Sequence, residues 1–124
     1  MILGIGTDLV EIARIKAALD RHGTRLVERV LGPVERERLP ERNPAPWIAK
    51  RFATKEAVAK ALGTGFREGL RLVDIQTGHD DYGRPNVLLD GKARERFERL
   101  GGVSIELSVS DERAYALAFV VISR

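Results

Sequence analysis

The 124 residues are one domain's worth of chain, 44% hydrophobic and 31% charged, which is enough apolar content for a core. There is no cysteine, and His22 and His79 are the only imidazoles, which excludes disulfides, thiol nucleophiles and Cys-ligated zinc and argues against a His-rich zinc site or a Ser-His-Asp relay. A net charge of +3 permits an acidic partner without demanding one.

Met1 to Gly6 (MILGIG) is a short apolar run, read as a buried strand, with Thr7 and Asp8 after it. The start lacks the apolar core of a signal peptide, and no run approaches the roughly 20 residues of a membrane span. A cytoplasmic protein is therefore expected. LVEIARIKAALDR reads as a helix, with Ile12, Ile15 and Leu19 on one face. Gly23 breaks it, Thr24 to Leu31 reads as a second helix, and Gly32-Pro33 opens another turn. After the Asn43-Pro-Ala-Pro46 loop, Trp47 to Leu62 reads as the longest helix, closed by Gly63-Thr64-Gly65. Strands follow: Leu72 to Ile75 and Val87 to Leu89 as a hairpin, then Val103 to Val109, with its strict alternation, and Ala114 to Ile122. Gly91 to Leu100 between them reads as a short charged helix. The expectation is a single α+β domain over residues 1–124, with an N-terminal strand and helices packed on a mainly antiparallel sheet.

The longest helix carries two charges in unexpected places. At about 100° per residue, Ile48, Ala49, Phe52, Ala53, Glu56, Ala59 and Lys60 share an arc of roughly 140°, with Lys50, Arg51, Thr54 and Lys55 opposite. Glu56 and Lys60 thus stand on the small, apolar face, the one a helix normally buries. They either pair with each other at i, i+4 or engage something else. Asp8 reads two ways: as a helix N-cap, with Glu11 completing a capping box, or as a carboxylate at a strand end, available to a hard cation. Two carboxylates and a lysine suit phosphoryl chemistry, in which Mg²⁺ takes one or two protein carboxylates and substrate oxygens complete its shell. Gly63-Thr64-Gly65 is a helix stop or a loop that lets a ligand approach the backbone; it lacks P-loop spacing. Arg14, Arg21 and Arg25 form a basic stripe opposite Ile12, Ile15 and Leu19, either solvated surface or a contact for an acidic partner.

Three stretches together resemble the holo-acyl-carrier-protein synthase family, the small phosphopantetheinyl transferases: GIGTDLVEIARI, KRFATKEAVAKALGTG and SVSDERAYALAFVVI. The resemblance covers essentially the whole chain and implies the 4′-phosphopantetheinyl transferase fold. It implies that a serine of apo acyl carrier protein attacks the β-phosphate of coenzyme A, releasing adenosine 3′,5′-bisphosphate, a step of fatty acid biosynthesis. By the same resemblance, Asp8 and Glu56 would bind Mg²⁺ with the pyrophosphate, and Lys60 would steady Glu56 or neutralise the transferring phosphate. Arg51 with Gly63, Thr64 and Gly65 would hold coenzyme A. Arg14 and Arg21, in a stripe with Arg25, would meet the acidic carrier. The family's members are similar in working as homotrimers with active sites between subunits. Asp111 stands where many of them carry histidine. The competing expectation is a small basic nucleic-acid-binding or adaptor protein without catalysis. Against it stand 18 interspersed acidic residues and few aromatics (6%).

Overall fold

The computed structural model describes residues 1–124. In chain order it forms β1 (Ile2–Glu11), α1 (Ile12–His22), α2 (Thr24–Val30), α3 (Pro33–Arg36) and α4 (Ala45–Ala61), then β2 (Ile75–His79) and β3 (Pro85–Leu89), α5 (Gly91–Arg99), β4 (Ser104–Glu112) and β5 (Tyr115–Ser123). One 3₁₀ turn, Leu72–Asp74, leads into β2. The α+β expectation holds, but the strands make two sheets instead of one. β1, β5 and β4 form an antiparallel sheet in the order β1-β5-β4, and β2 with β3 forms a separate antiparallel hairpin.

The first strand is longer than its apolar run. Leu9, Val10 and Glu11 continue β1, paired with Leu117, Ala116 and Tyr115 of β5, so α1 begins only at Ile12. Helical periodicity from Leu9 onward loses here to a ladder whose partner lies a hundred residues away, and Leu-Val is well suited to a strand. Asp8 is consequently no N-cap. The residue before α1 is Glu11, and it makes no side-chain capping bond.

α4 is the axis of the molecule and packs against β1, β5, α1, β2 and β4. Pro46 sits in its first turn, where the missing N–H costs nothing, and Gly63, at φ 82°, lies just past its end. Ile48, Val58 and Leu62 are buried on it, each contributing roughly 1.5–3 kcal/mol by leaving water. The side opposite Glu56 is not solvated: Arg51, Thr54 and Lys55 are buried too. A helix enclosed on nearly every side has no free polar face.

What accommodates the buried lysine is a second acid. Lys55 Nζ donates to Glu35 Oε1 at 2.6 Å and to the carbonyls of Leu72 (3.1 Å) and Ile75. Glu35, in α3, also accepts from the N–H groups of Gly32 (3.1 Å) and Thr77 (3.0 Å). Burial lowers the Lys55 pKa and Glu35 opposes that shift. The pair ties α3, α4 and β2 together, with nearly every donor and acceptor used.

Candidate active site

Two glycines decide where the site forms. Gly4, Gly6 and Asp8 alternate along the face of β1 turned toward α4. A Cβ on Gly6 would overlap the carbonyl oxygen of Ala57, and one on Gly4 that of Ala61. Bare backbone at both positions lets strand and helix approach more closely than any side chain allows. The next inward residue of β1 is Asp8, which therefore meets α4 directly.

Asp8 Oδ1 lies 3.2 Å from Lys60 Nζ, and the same ammonium donates to the carbonyl of Thr7 at 2.9 Å. Lys60 thus pairs with Asp8 across the strand–helix contact; it makes no ion pair with Glu56. Glu56, one turn before Lys60, is half-buried. Burial raises its pKa above the ordinary carboxylate value, Asp8 raises it further, and Lys60 opposes. A half-buried carboxylate whose charging cost is raised by a second carboxylate beside it forms a natural seat for a cation.

Asp8 and Glu56 line one cavity of about 420 Å³ together with Arg14, Ile15 and Phe52. Glu56 and Phe52 also line a larger one of about 760 Å³, walled by Leu26, Phe66 and Leu72 with Arg29 and Arg71 among its polar groups. The two adjoin, with Leu26, Val30, Phe52 and Glu56 in the walls of both, and are together the cleft. Arg14 therefore stands inside the cleft, while Arg21 is exposed farther along α1. Arg25 is exposed on α2, beyond Gly23, beside His22 and Arg29.

Arg51 is placed elsewhere. Its guanidinium lies over the Trp47 ring, 3.9 Å from the centroid, on the side of α4 that carries Lys55. Its Nε is buried without a hydrogen-bond partner, and it lines neither cavity of the cleft. Gly63 and Thr64 line a separate cavity of about 220 Å³ past the end of α4, with Arg67, Glu68 and Arg96. Asp111, at the end of β4, pairs with Lys50 at 3.3 Å and so ties the β4–β5 turn to α4. The motifs in the sequence do not point to Arg29, Arg67, Arg71 or Arg96. Arg29, Arg71 and Arg96 reach their cavities through tertiary packing, whereas Arg67 lies just past Thr64 in the same loop.

The comparisons with known proteins agree with one another. The model of the 4′-phosphopantetheinyl transferase superfamily matches residues 4–120. A holo-[acyl-carrier-protein] synthase of Alkalilimnicola ehrlichii is 53% identical over 125 residues, covering 98% of this chain and 97% of that one. The crystal structure of the synthase from Neisseria meningitidis superposes with a TM-score of 0.90 at 41% identity over the whole of both chains. That of Helicobacter pylori, solved in complex with coenzyme A, gives 0.84 at 33% identity over 96% of this chain and 99% of that one. The chain therefore belongs to the 4′-phosphopantetheinyl transferase superfamily and, within it, to the holo-[acyl-carrier-protein] synthases, and is an enzyme of that kind.

Proposed function

We propose that residues 1–124 act as one transferase domain that moves the 4′-phosphopantetheine arm of coenzyme A onto a serine of an acidic apo acyl carrier protein, in the presence of Mg²⁺, with release of adenosine 3′,5′-bisphosphate. The observation that carries this reading is the meeting of Asp8, Glu56 and Lys60 at the strand–helix contact, on the wall of a cleft large enough for a small-molecule substrate. The relative solved with coenzyme A supports the choice of donor.

The donor set fits the metal. Two carboxylates, one with its pKa raised by burial and by the other's charge, match an ion that takes few protein ligands and keeps places for water and phosphate oxygens. They do not match zinc, which needs three or four, and the chain gathers no group of three potential ligands anywhere. Asp8 and Glu56 would hold Mg²⁺, which supplies positive charge against the pyrophosphate when bound. Lys60, already held by Asp8 and the Thr7 carbonyl, presents a further positive charge at the same place. Arg14 borders the cleft and Arg21 lies beyond it on the exposed face of α1, so an acidic carrier helix laid along α1 brings its serine toward Glu56. Arg25 extends that basic surface onto α2.

The site is completed by other copies of the chain in a homotrimer. Ile5, Leu9, Leu117 and Phe119 project from the outer face of the β1-β5 pair, each more than two-fifths exposed. An apolar sheet face of this kind is what subunits bury. Arg51, turned from its own cleft with Nε unpartnered, then contributes to the binding of coenzyme A at a neighbour's cleft.

The test is transfer kinetics on Asp8→Asn and Glu56→Gln, both close in volume to the native residue. Each should lower kcat by at least about a hundredfold and weaken the response to added Mg²⁺. Normal transfer by Glu56→Gln would remove the metal assignment.

A further inference from the structure

We infer that Asp111 is a positioning residue for the carrier protein: its pair with Lys50 fixes the start of α1 and, through it, the place of Arg14 at the cleft. The inference rests on the reading in which an acidic carrier lies along α1, and adds to it a residue that acts without touching a substrate. No linker separates β1 from α1. The strand runs through Glu11, opposite Tyr115, and the next residue, Ile12, is already helical. The helix has no side-chain cap of its own, since Glu11 makes no capping bond. The first N–H groups of any helix lack acceptors within it. Here the N–H of Ile12 donates instead to the Ala114 carbonyl, at 2.8 Å.

That carbonyl belongs to Arg113-Ala114, the two-residue turn that joins β4 to β5. So short a loop leaves its carbonyls little freedom relative to the strand ends. Asp111 stands two residues before the turn, with Oδ1 3.3 Å from Lys50 Nζ. Lys50 lies on α4 six residues before Glu56, about 9 Å along the axis. The chain of contacts therefore runs from α4, through the Lys50–Asp111 pair and the Ala114 carbonyl, to the first turn of α1. Arg14 lies in that turn and lines the same cavity as Asp8 and Glu56.

The pair is suited to placing a helix end and contributes little to holding the fold. Both side chains are partly exposed, where ion pairs add little stability. Ile15, buried, and Leu19, packed against the core, keep the body of α1 in place. An uncapped first turn is where a helix frays. A fixed turn presents Arg14 to an acidic helix with less ordering left to do on binding.

The experiment measures transfer kinetics, carrier affinity by calorimetry and amide exchange for the wild type, Asp111→Asn and the swapped pair Lys50→Asp with Asp111→Lys. Asp111→Asn is also made in an Arg14→Ala background. Asp111→Asn should raise KM for the carrier about fivefold, the most that a partly exposed pair transmits, with KM for coenzyme A and the melting temperature nearly unchanged. Exchange at the Ile12 amide should accelerate, and the swapped pair should restore both. In the Arg14→Ala background, Asp111→Asn should raise the carrier KM no further. An unchanged carrier KM, an equal rise for coenzyme A, or the same rise without Arg14 overturns the inference. If the wild type modifies no carrier yet binds one with an affinity that depends on Asp111, the inference stands and the transfer reading falls. If it transfers to the carrier whatever residue stands at 111, the transfer reading stands and the inference falls. If it neither modifies nor binds a carrier, both fall.

Discussion

Glu56 carries a cost that depends on pH. Its folded-state pKa is raised, first by burial and then by Asp8. The folded protein therefore binds the proton more tightly than the unfolded chain does. Stability from this group is full below the ordinary glutamate range and is lost as pH rises through the raised folded value. Glu56→Gln, which mimics the protonated form, should match the wild type in urea melts at about pH 4 and exceed it at about pH 7. A wild type equally stable relative to the variant at both pH values would contradict the burial of this carboxylate. Lys55 and Glu35 behave oppositely. Removing either leaves a buried charge alone, so Lys55→Met and Glu35→Gln should each cost about 3–5 kcal/mol in the same melts. A loss under about 1 kcal/mol would mean that the pair is not buried as described. Of these residues, Asp8, Glu56 and Lys60 could be singled out in the sequence because a carboxylate and an ammonium on a small apolar face demand partners. The Lys55–Glu35 pair could not: a helical wheel places Lys55 on a polar side, and only the packing of α3 and β2 turns that side into interior.

Among the elements, β1 and α4 set the geometry of the cleft. Gly4 and Gly6 remove side chains where the strand crosses the helix, and small residues of α4 and β5 (Ala57, Ala61, Ala116, Ala118) complete the close contact. Gly6→Ala should push α4 outward, destabilise the protein by about 1–3 kcal/mol or more, and separate Asp8 from Lys60, so transfer should fall further than stability alone explains. A variant with wild-type activity and melting behaviour would show that the contact yields more easily than the overlap with Ala57 implies. The helix order, the presence of a hairpin and the alternating strand after Val103 were legible from periodicity and turn residues. The first hairpin strand was expected at Leu72 to Ile75, but Leu72–Asp74 instead form a 3₁₀ turn and β2 runs Ile75–His79. The continuation of β1 through Glu11 was not legible. Its partner lies in β5, at the far end of the chain, and the local pattern after Leu9 favours a helix just as well. That one boundary moved Asp8 from a helix cap to the inner face of a sheet.

At the scale of the whole molecule, the outer face of the three-stranded sheet is divided. β1 and β5 present Ile5, Leu9, Leu117 and Phe119, while β4 presents Glu106, Ser108 and Ser110 beside them. Phe119→Glu should convert a trimer into monomers in light-scattering chromatography and remove activity with it; a variant that stays trimeric would place the interface elsewhere. If Arg51 serves a neighbouring cleft, a mixture of Arg51→Ala and Glu56→Gln chains, each inactive alone, should recover part of the activity once subunits exchange. No recovery from exchanged subunits would put Arg51 and Glu56 in the same cleft. The proposed trimer has no signal in the residue pattern, because an exposed apolar strand face reads like any other strand until its inner face is known. The most direct measurement is the intact mass of an apo acyl carrier protein after incubation with this enzyme, coenzyme A and Mg²⁺. The carrier should gain the mass of one phosphopantetheine group, with adenosine 3′,5′-bisphosphate released in equal amount. A carrier of unchanged mass, with folded enzyme and several carriers tried, would contradict the central claim.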